Sequence, residues 1–256
     1  FTLENLRPFV ESWYDRQAAV NSILLGCSVG VAGTVLGFIF AFAVTRLSLP
    51  KWLCAAVSAV PLLPLISPPF TSSIALTLSL GPNGILLDFF GLGNFNFYGF
   101  WGTFISETLT FFPVAFMTLS TILARIDPNL EDAAYSLGAS SFKVFRTVTL
   151  PLAAPGIANA FLLVFSCSLA DFATPQVLGG HSFPVLPTQA YLVITGMYDF
   201  KGGAALSFML LIPAIIVYSL QRWWVGKKSY VTVSGKAGGR SSVKGPGPLL
   251  SSVIVA

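Results

Sequence analysis

The sequence predicts an all-α membrane protein with about five membrane-spanning helices, and three features lead to this class. Hydrophobic residues make up 54% of the 256 residues and charged residues only 9%, whereas soluble domains average about 25% charged residues. Five apolar segments reach the roughly 20 residues that a helix needs to cross a bilayer. Basic residues gather at the ends of these segments, mostly on one side.

The chain begins with a polar and aromatic segment, residues 1–17, followed by a first predicted span at 18–45. Segment 1–17 lacks the basic start and apolar middle of a signal peptide, and we expect it to be extracytoplasmic. Along the span, glycines at four-residue spacing allow helices to pack closely in lipid. These residues are Gly26, Gly30, Gly33 and Gly37.

The second predicted span, residues 52–80, is interrupted by Pro61, Pro64, Pro68 and Pro69. Proline removes a backbone hydrogen-bond donor and kinks or breaks a helix. A broken helix in a bilayer is tolerated only against protein or a water-filled cavity. We therefore expect this span inside the bundle, either beside a translocation path, with Pro68 as a candidate path residue, or as a kinked packing helix away from substrate.

Three further spans are predicted at 99–124, 155–178 and 203–225. Residues 125–154 form a connecting loop between the first two of these, and residues 179–202 form another before the last. The tail at 229–248 is rich in Gly, Ser and Lys, which predicts a flexible linker. Residues 249–256 are apolar again and suggest the start of a further membrane helix, so we expect a piece of a longer chain.

The distribution of charge predicts the orientation of the membrane domain, which we place at residues 18–228. Eleven of the 14 Lys and Arg residues fall on one side of the five predicted spans, and three fall on the other, namely Arg7, Arg16 and Lys201. Cytoplasmic loops of membrane proteins carry an excess of Lys and Arg. The side that holds loop 125–154 and the tail is therefore predicted to be cytoplasmic.

Loop 125–154 contains a short helix whose ends are readable in the sequence. Asp127 suits the N-cap, Pro128 suits the first helical position, and Gly138 can end the helix in a left-handed conformation. Apolar residues at helical spacing form one narrow, Ala-rich face, which another backbone can approach closely. This predicted docking face consists of Leu130, Ala133, Ala134 and Leu137.

The stretch runs Ala133-Ala134, three residues, Gly138, nine residues, then Val148-Thr149-Leu150-Pro151, and it resembles the EAA signature of importer-type ABC permeases. The resemblance implies a type I ABC importer transmembrane domain of the MetI-like fold, whose short cytoplasmic coupling helix docks on an ATPase. Asp132 stands where that family usually has Glu, and Glu131 could supply the ion pair to the ATPase instead. The implied coupling residues are Glu131, Asp132, Ala133, Ala134, Leu137, Gly138, Leu150 and Pro151.

A second resemblance concerns the cargo. The segment Asp171-Phe172-Ala173-Thr174-Pro175, with Gly179-Gly180 after it, is similar to permeases of ferric-iron uptake systems. The resemblance implies one half of a fused, two-copy permease in a bacterial inner membrane. The implied partners are an ABC ATPase, an extracytoplasmic solute-binding protein, a second permease half and the lipid bilayer, with no nucleic acid. Sulfate, polyamine, thiamine and phosphonate permeases share this architecture and remain alternatives for the cargo.

Two acidic residues, Glu107 and Asp171, fall in the outer halves of predicted spans. Carboxylates within a membrane are costly and usually face the bundle interior or water. They either line the translocation path, together with Pro68 and Pro175, and favour a cationic or metal-bearing cargo, or they serve as packing or helix-capping acids. No basic residue is expected at matching depth.

The sequence argues against an enzyme. It has no Gly-x4-Gly-Lys-Ser/Thr phosphate loop, so the chain is not expected to hydrolyse ATP itself. Its single histidine, His181, falls in an outer loop, so no serine or cysteine nucleophile has a credible base, and the cysteines lack the spacing of a metal site. We expect no cofactor and no resident metal. A secondary transporter, with intramembrane acids as a proton relay, is the rival class.

Overall fold

The computed structural model describes residues 12–67, 69–81, 84, 89, 97–180 and 182–226, and the regular structure over these residues is helical. The helices are α1 (Trp13–Arg46), α2 (Lys51–Ala59), α3 (Leu63–Ile66), α4 (Pro69–Leu80), α5 (Phe100–Arg125), α6 (Pro128–Ser136), α7 (Ser141–Val144), α8 (Leu150–Ala170), α9 (Leu186–Thr195) and α10 (Phe200–Gly226).

Within this part of the chain, four helical segments are long and apolar enough to cross a membrane. The count rises to five if the bent pair Lys51–Ile66 and Thr71–Leu80 forms one span. The predicted all-α membrane class is therefore confirmed. The linker at 229–248, the apolar end at 249–256, His181 and Pro68 lie outside the described residues.

Helix α1 begins five residues earlier than the predicted span, because Ser12 caps it and Asp15 lies in its first turn. The Ser12 hydroxyl accepts a hydrogen bond from the Asp15 amide. Residues 13–17, predicted to belong to an extracytoplasmic segment, are therefore the first turn of the helix. The 34 residues of α1 extend about 50 Å at 1.5 Å per residue, which exceeds the roughly 30 Å of a bilayer core.

The glycines of α1 allow α5 and α8 to approach its backbone. A Cβ atom on Gly37 would lie 2.6 Å from the Ala115 Cβ and 2.7 Å from the Phe116 amide nitrogen, and one on Gly30 would lie 2.7 Å from the Phe161 ring. The predicted close packing along this helix is confirmed. Helices α1, α5 and α8 enclose the main core, whose buried members include Leu25, Val29, Leu119, Leu123, Ala160 and Val164.

The second predicted span is broken, as its prolines indicate. Residues 60–62 form a 3₁₀ turn between α2 and α3, and Lys51–Ile66 meets Thr71–Leu80 at an angle of 101°. Pro61 lies in the 3₁₀ turn and Pro64 in the first turn of α3. Helix α4 packs back on α5, so the part after the bend faces the bundle.

The start of the fourth span corrects the sequence prediction. Helix runs without interruption from Ser141 to Ala170, so it enters 14 residues before the predicted start at 155 and takes up much of loop 125–154. Phe145–Thr149 is a π-helical turn, in which the Leu150 amide donates to the Phe145 carbonyl. Pro151 has no amide and its ring crowds the preceding turn. A widened turn directly before it lets the helix continue.

The fourth span also ends earlier than predicted, at Ala170 rather than 178. A second π-helical turn, Pro175–Gly179, follows it. The predicted loop at 179–202 contains helix α9, which the sequence pattern missed because Pro187 and the neighbouring polar residues suggest a loop. Leu186 and Ala190 of α9 pack with Ala18 and Leu206, which joins α9 to α1 and α10.

Candidate functional site

Helix α6 has the ends that the sequence predicts. The Asp127 carboxylate accepts a hydrogen bond from the Asn129 amide at 3.0 Å, and Pro128 occupies the first turn. Gly138, two residues after the last helical residue, has a φ of +79°. A side chain there is strained by the backbone conformation, although no atom lies within 4 Å of where its Cβ would be.

The predicted docking face is left largely uncovered by the described residues. Leu130 is 42% exposed and Leu137 is 89% exposed. Ala133 is exposed and Ala134 is half-buried. Large apolar side chains exposed beside each other on a polar surface commonly mark a protein interface. The geometry of α6 therefore offers a narrow apolar ridge to another molecule.

Glu131 lies on a different side of α6 from the docking face and is buried within the chain. Its side chain is 5% exposed, and its Oε1 atom lies 3.1 Å from Arg46 Nε. The Thr149 hydroxyl donates to the same oxygen at 2.8 Å. Within the chain its carboxylate is paired with Arg46, and the expectation that Glu131 takes over from Asp132 in an ion pair to a partner stays a prediction. Asp132 remains partly exposed.

Arg46, the last residue of α1, connects Glu131 to the end of α5 as well. Its Nη2 atom donates to the Ile126 carbonyl at 3.3 Å, where α5 ends. The Arg46 side chain is 10% exposed. A cation in the last turn also favours the negative end of the helix dipole. Arg46, Ile126, Glu131 and Thr149 thus form one group, here termed the inner clamp.

The inner clamp joins four elements at the predicted cytoplasmic end of the bundle: α1, α5, α6 and the π-helical turn that leads into α8. Removing one partner of a buried ion pair strands the other charge and typically costs about 3–5 kcal/mol. The Nε–H of Arg46 is not aligned with a hydrogen-bond acceptor, so its contact with Glu131 is between charges. Arg46 and Thr149 were not singled out from the sequence.

Leu150 and Pro151, the end of the EAA-like pattern, lie at the start of α8 rather than in a loop. Both side chains are exposed. Pro151 directly follows the π-helical turn, which lets the helix continue past a residue that has no N–H group.

Glu107 lies in the N-terminal third of α5 and has no exposed surface within the chain. The Ser168 hydroxyl of α8 donates to its Oε2 atom, while Oε1 has no hydrogen-bond partner among the described residues. The preceding residue, Ser106, shares a hydrogen bond of 3.3 Å with Ser73 of α4. Glu107 therefore connects helices inside this chain, and its role at a translocation path stays a prediction.

Asp171 caps the chain segment that follows α8. Its Oδ1 atom accepts a hydrogen bond from the Ala173 amide at 2.9 Å. The side chain is half-buried, so it is neither sealed like Glu107 nor fully open. Pro175 is buried at the start of the π-helical turn that follows. This arrangement matches the helix-capping alternative and leaves the path role of Asp171 and Pro175 as a prediction.

Residues 33–229 match the model of the family described as binding-protein-dependent transport system inner membrane component. The match includes α6, the docking face and the inner clamp.

Three curated relatives cover most of this chain. It is 40% identical over 223 residues to the ferric transport system permease protein FbpB of Actinobacillus pleuropneumoniae, covering 85% of this chain and 32% of the relative. A putative ferric transport system permease protein FbpB 1 of Haemophilus influenzae is 39% identical, with coverage of 88% and 36%. The molybdenum transport system permease protein ModB of Haemophilus influenzae is 34% identical, with coverage of 80% and 92%. The chain thus spans about a third of the length of the two ferric relatives.

Solved structures share the fold at low sequence identity. A bacterial alginate ABC transporter, in complex with an alginate pentasaccharide-bound periplasmic protein, aligns with a TM-score of 0.75 and 16% identity, over 89% of this chain and 83% of that one. An inward-facing MetNI methionine ABC transporter aligns with a TM-score of 0.70 and 17% identity, over 86% and 97%. The structural likeness supports the type I ABC importer transmembrane fold.

Proposed function

Because the chain belongs to the family of binding-protein-dependent transport system inner membrane components, we propose that it forms one half of the membrane path of an ATP-driven importer. The rest of the path comes from a second permease half, either in the same longer chain or in a homologous one. The observation that carries the proposal is the exposed docking face on a well-capped helix between two membrane spans.

An ABC ATPase is the partner proposed for the docking face. The exposed Leu137 and Ala133 suit a shallow apolar groove, because small residues let two backbones approach closely. The partly exposed Asp132 suits a basic side chain at the rim of that groove. The capped ends of α6 hold the face in one conformation, so little entropy is lost when it docks.

An extracytoplasmic solute-binding protein is proposed as the second partner. The support is the family itself, whose description specifies binding-protein dependence. The related alginate transporter is also described in complex with a periplasmic protein. In this arrangement cargo arrives at the end of the bundle that holds α9 and the start of α10.

Ferric iron is the proposed cargo. The support is the 40% and 39% identity to permeases named for ferric transport. The 34% identity to a molybdenum permease makes an oxyanion the alternative to be compared directly. Ferric iron is a cation and an oxyanion such as molybdate is negatively charged, so a single competition experiment separates the two cargoes.

Cross-linking tests the docking role. Leu137→Cys, in a chain whose native cysteines are replaced by serine, is expected to cross-link to the co-expressed ATPase. Leu220→Cys in α10, which is 58% exposed on the membrane-spanning part of the bundle, is the matched control and is expected to give no such product. Equal cross-linking at both positions, or none at Leu137, contradicts docking through α6.

Uptake by proteoliposomes tests the cargo. The complete transporter, with ATPase and binding protein, is expected to import radiolabelled ferric iron when ATP is inside the vesicles. Molybdate and sulfate in excess are expected not to compete. Import of labelled molybdate instead of iron assigns the oxyanion cargo, and import without ATP assigns a secondary transporter.

A further inference from the structure

We propose that the Arg46–Glu131 ion pair is a coupling link, through which displacement of helix α6 is passed to the inner end of α1. This inference rests on the proposed docking of an ATPase at α6 and deepens it. Arg46 and Glu131 act as positioning residues: they touch neither cargo nor nucleotide. They decide which membrane helices move when the docking helix moves.

The first argument is where α6 is attached. Its packing within the chain is mainly against Ser141–Val144 and Phe145–Thr149, the segments that lead into α8. Motion of α6 would therefore reach α8 through ordinary packing. To α1, by contrast, α6 is joined by the ion pair between Glu131 and Arg46, two residues that lie 85 positions apart in the sequence.

The second argument is that Arg46 uses two separate atoms for two separate helices. Its Nε faces Glu131 of α6 at 3.1 Å, and its Nη2 bonds the Ile126 carbonyl at the end of α5 at 3.3 Å. A guanidinium holds its nitrogen atoms in a rigid plane, so the two contacts cannot move independently. A shift of Glu131 is therefore transmitted to α1, whose last residue is also held to the end of α5.

The third argument is that Glu131 is fixed at its other side as well. The Thr149 hydroxyl donates to the Oε1 atom that faces Arg46, and Thr149 is itself buried. The carboxylate is thus shared between the end of α1 and the turn that enters α8. Because the pair is largely removed from water, its contacts are screened less than those of a surface pair.

The consequence is specific. With the inner clamp intact, α1, α5 and α8 follow α6 together. With the ion pair broken, α8 still follows α6 through packing and α5 follows it through the two-residue link Ile126-Asp127, while α1 lags. ATP hydrolysis then continues but opens and closes the path incompletely, so more ATP is consumed for each ion imported.

The test uses the complete transporter in proteoliposomes and measures both ATP hydrolysed and iron imported. Glu131→Gln keeps an oxygen for the Thr149 hydroxyl and removes the charge that Arg46 faces. Arg46→Lys keeps a positive charge and removes the planar guanidinium group. If Glu131→Gln does not assemble, Arg46→Lys by itself tests the proposal. Both variants are expected to raise ATP consumed per ion on the order of tenfold, within the usual range of coupling between sites.

Arg125→Gln is the matched control. Arg125 ends α5 as Arg46 ends α1, so the same charge is removed from the same side of the membrane, but Arg125 is exposed. The ratio of ATP to iron is expected to be unchanged in this variant. An equal rise there would assign the effect to surface charge and overturn the proposal. The proposal would also be overturned if the ratio of ATP hydrolysed to iron imported stayed unchanged in the Arg46 and Glu131 variants, even if both rates fell.

A second readout does not depend on the cargo. Spin labels at Ser48→Cys, just after α1, and Asn129→Cys, on α6, report the distance between these elements with and without ATP. The distance is expected to stay the same when the ion pair is intact and to change with nucleotide in Glu131→Gln. Absence of any Leu137→Cys cross-link to the ATPase would mean that the proposed docking has failed. Presence of that cross-link with no distance change in Glu131→Gln would mean that the coupling link alone has failed.

Discussion

Ser168 of α8 donates a hydrogen bond to Glu107 of α5, and this contact joins two membrane helices at a carboxyl group with no exposed surface. The two residues are 61 positions apart. Ser106, adjacent to Glu107, bonds Ser73 of α4, so three helices meet at one buried polar cluster. The cluster places the broken second span against the core of the bundle.

Ser168→Ala is expected to destabilise the folded protein, because the Glu107 carboxyl loses its hydrogen-bond donor while it remains buried. An unsatisfied buried polar group typically costs about 1–3 kcal/mol. The measurement is the melting temperature of the purified protein in detergent. Ser120→Ala is the control, since its hydroxyl bonds the Met117 carbonyl of the same helix in an exposed position. Equal melting temperatures for the two variants would contradict a stabilising role for the contact.

Gly37→Leu is expected to disrupt the packing of α1 against α5. Even a Cβ atom at Gly37 would lie 2.6 Å from Ala115, and both partners are helix backbone or short side chain, which cannot move aside. Overpacking of a tight core costs typically about 1–3 kcal/mol, and more where backbone must shift. The fraction of protein that resists trypsin in membranes measures the effect. Val35→Leu, on the exposed side of α1, is expected to behave like the wild type.

Substitutions at Gly138 test whether the left-handed conformation after α6 is needed for uptake. Gly138→Val forces a branched residue into a left-handed backbone, at a cost of roughly 1–2 kcal/mol. Membrane insertion is expected to be normal and uptake of the proposed cargo to be lost, because the docking face is misplaced. Asn tolerates this conformation, so Gly138→Asn is expected to retain uptake. Uptake by Gly138→Val at the wild-type rate would count against a docking role for α6.

Tyr198 is expected to be a site where substitution stabilises the protein. It has a φ of +56° although it is not glycine, and it is 78% exposed, so it gives up little packing. Relief of the left-handed strain in Tyr198→Gly is offset in part by the greater freedom of glycine in the unfolded chain. The difference between these two effects is expected to raise the free energy of unfolding by up to about 1 kcal/mol. A lower melting temperature for Tyr198→Gly would show that the tyrosine makes a contact that outweighs the strain.

The sequence by itself determined the membrane class, the ends of α6 and the small-residue face of α1. These features depend on composition, on capping residues such as Asp127 and Gly138, and on the periodicity of Gly30 and Gly37. All of them are set by neighbours within a turn or two of helix, so they can be read locally.

Only the tertiary structure decided the direction in which Glu131 points and the partners of Arg46 and Glu107. Glu131 and Asp132 are adjacent acids in the sequence, yet Glu131 is buried against Arg46 and Asp132 is not. The continuation of helix through Phe145–Thr149 and the presence of α9 were also not predicted. The physical reason is the same in each case: these features arise where segments far apart in the chain pack together, and that packing overrides local preferences such as that of Pro151.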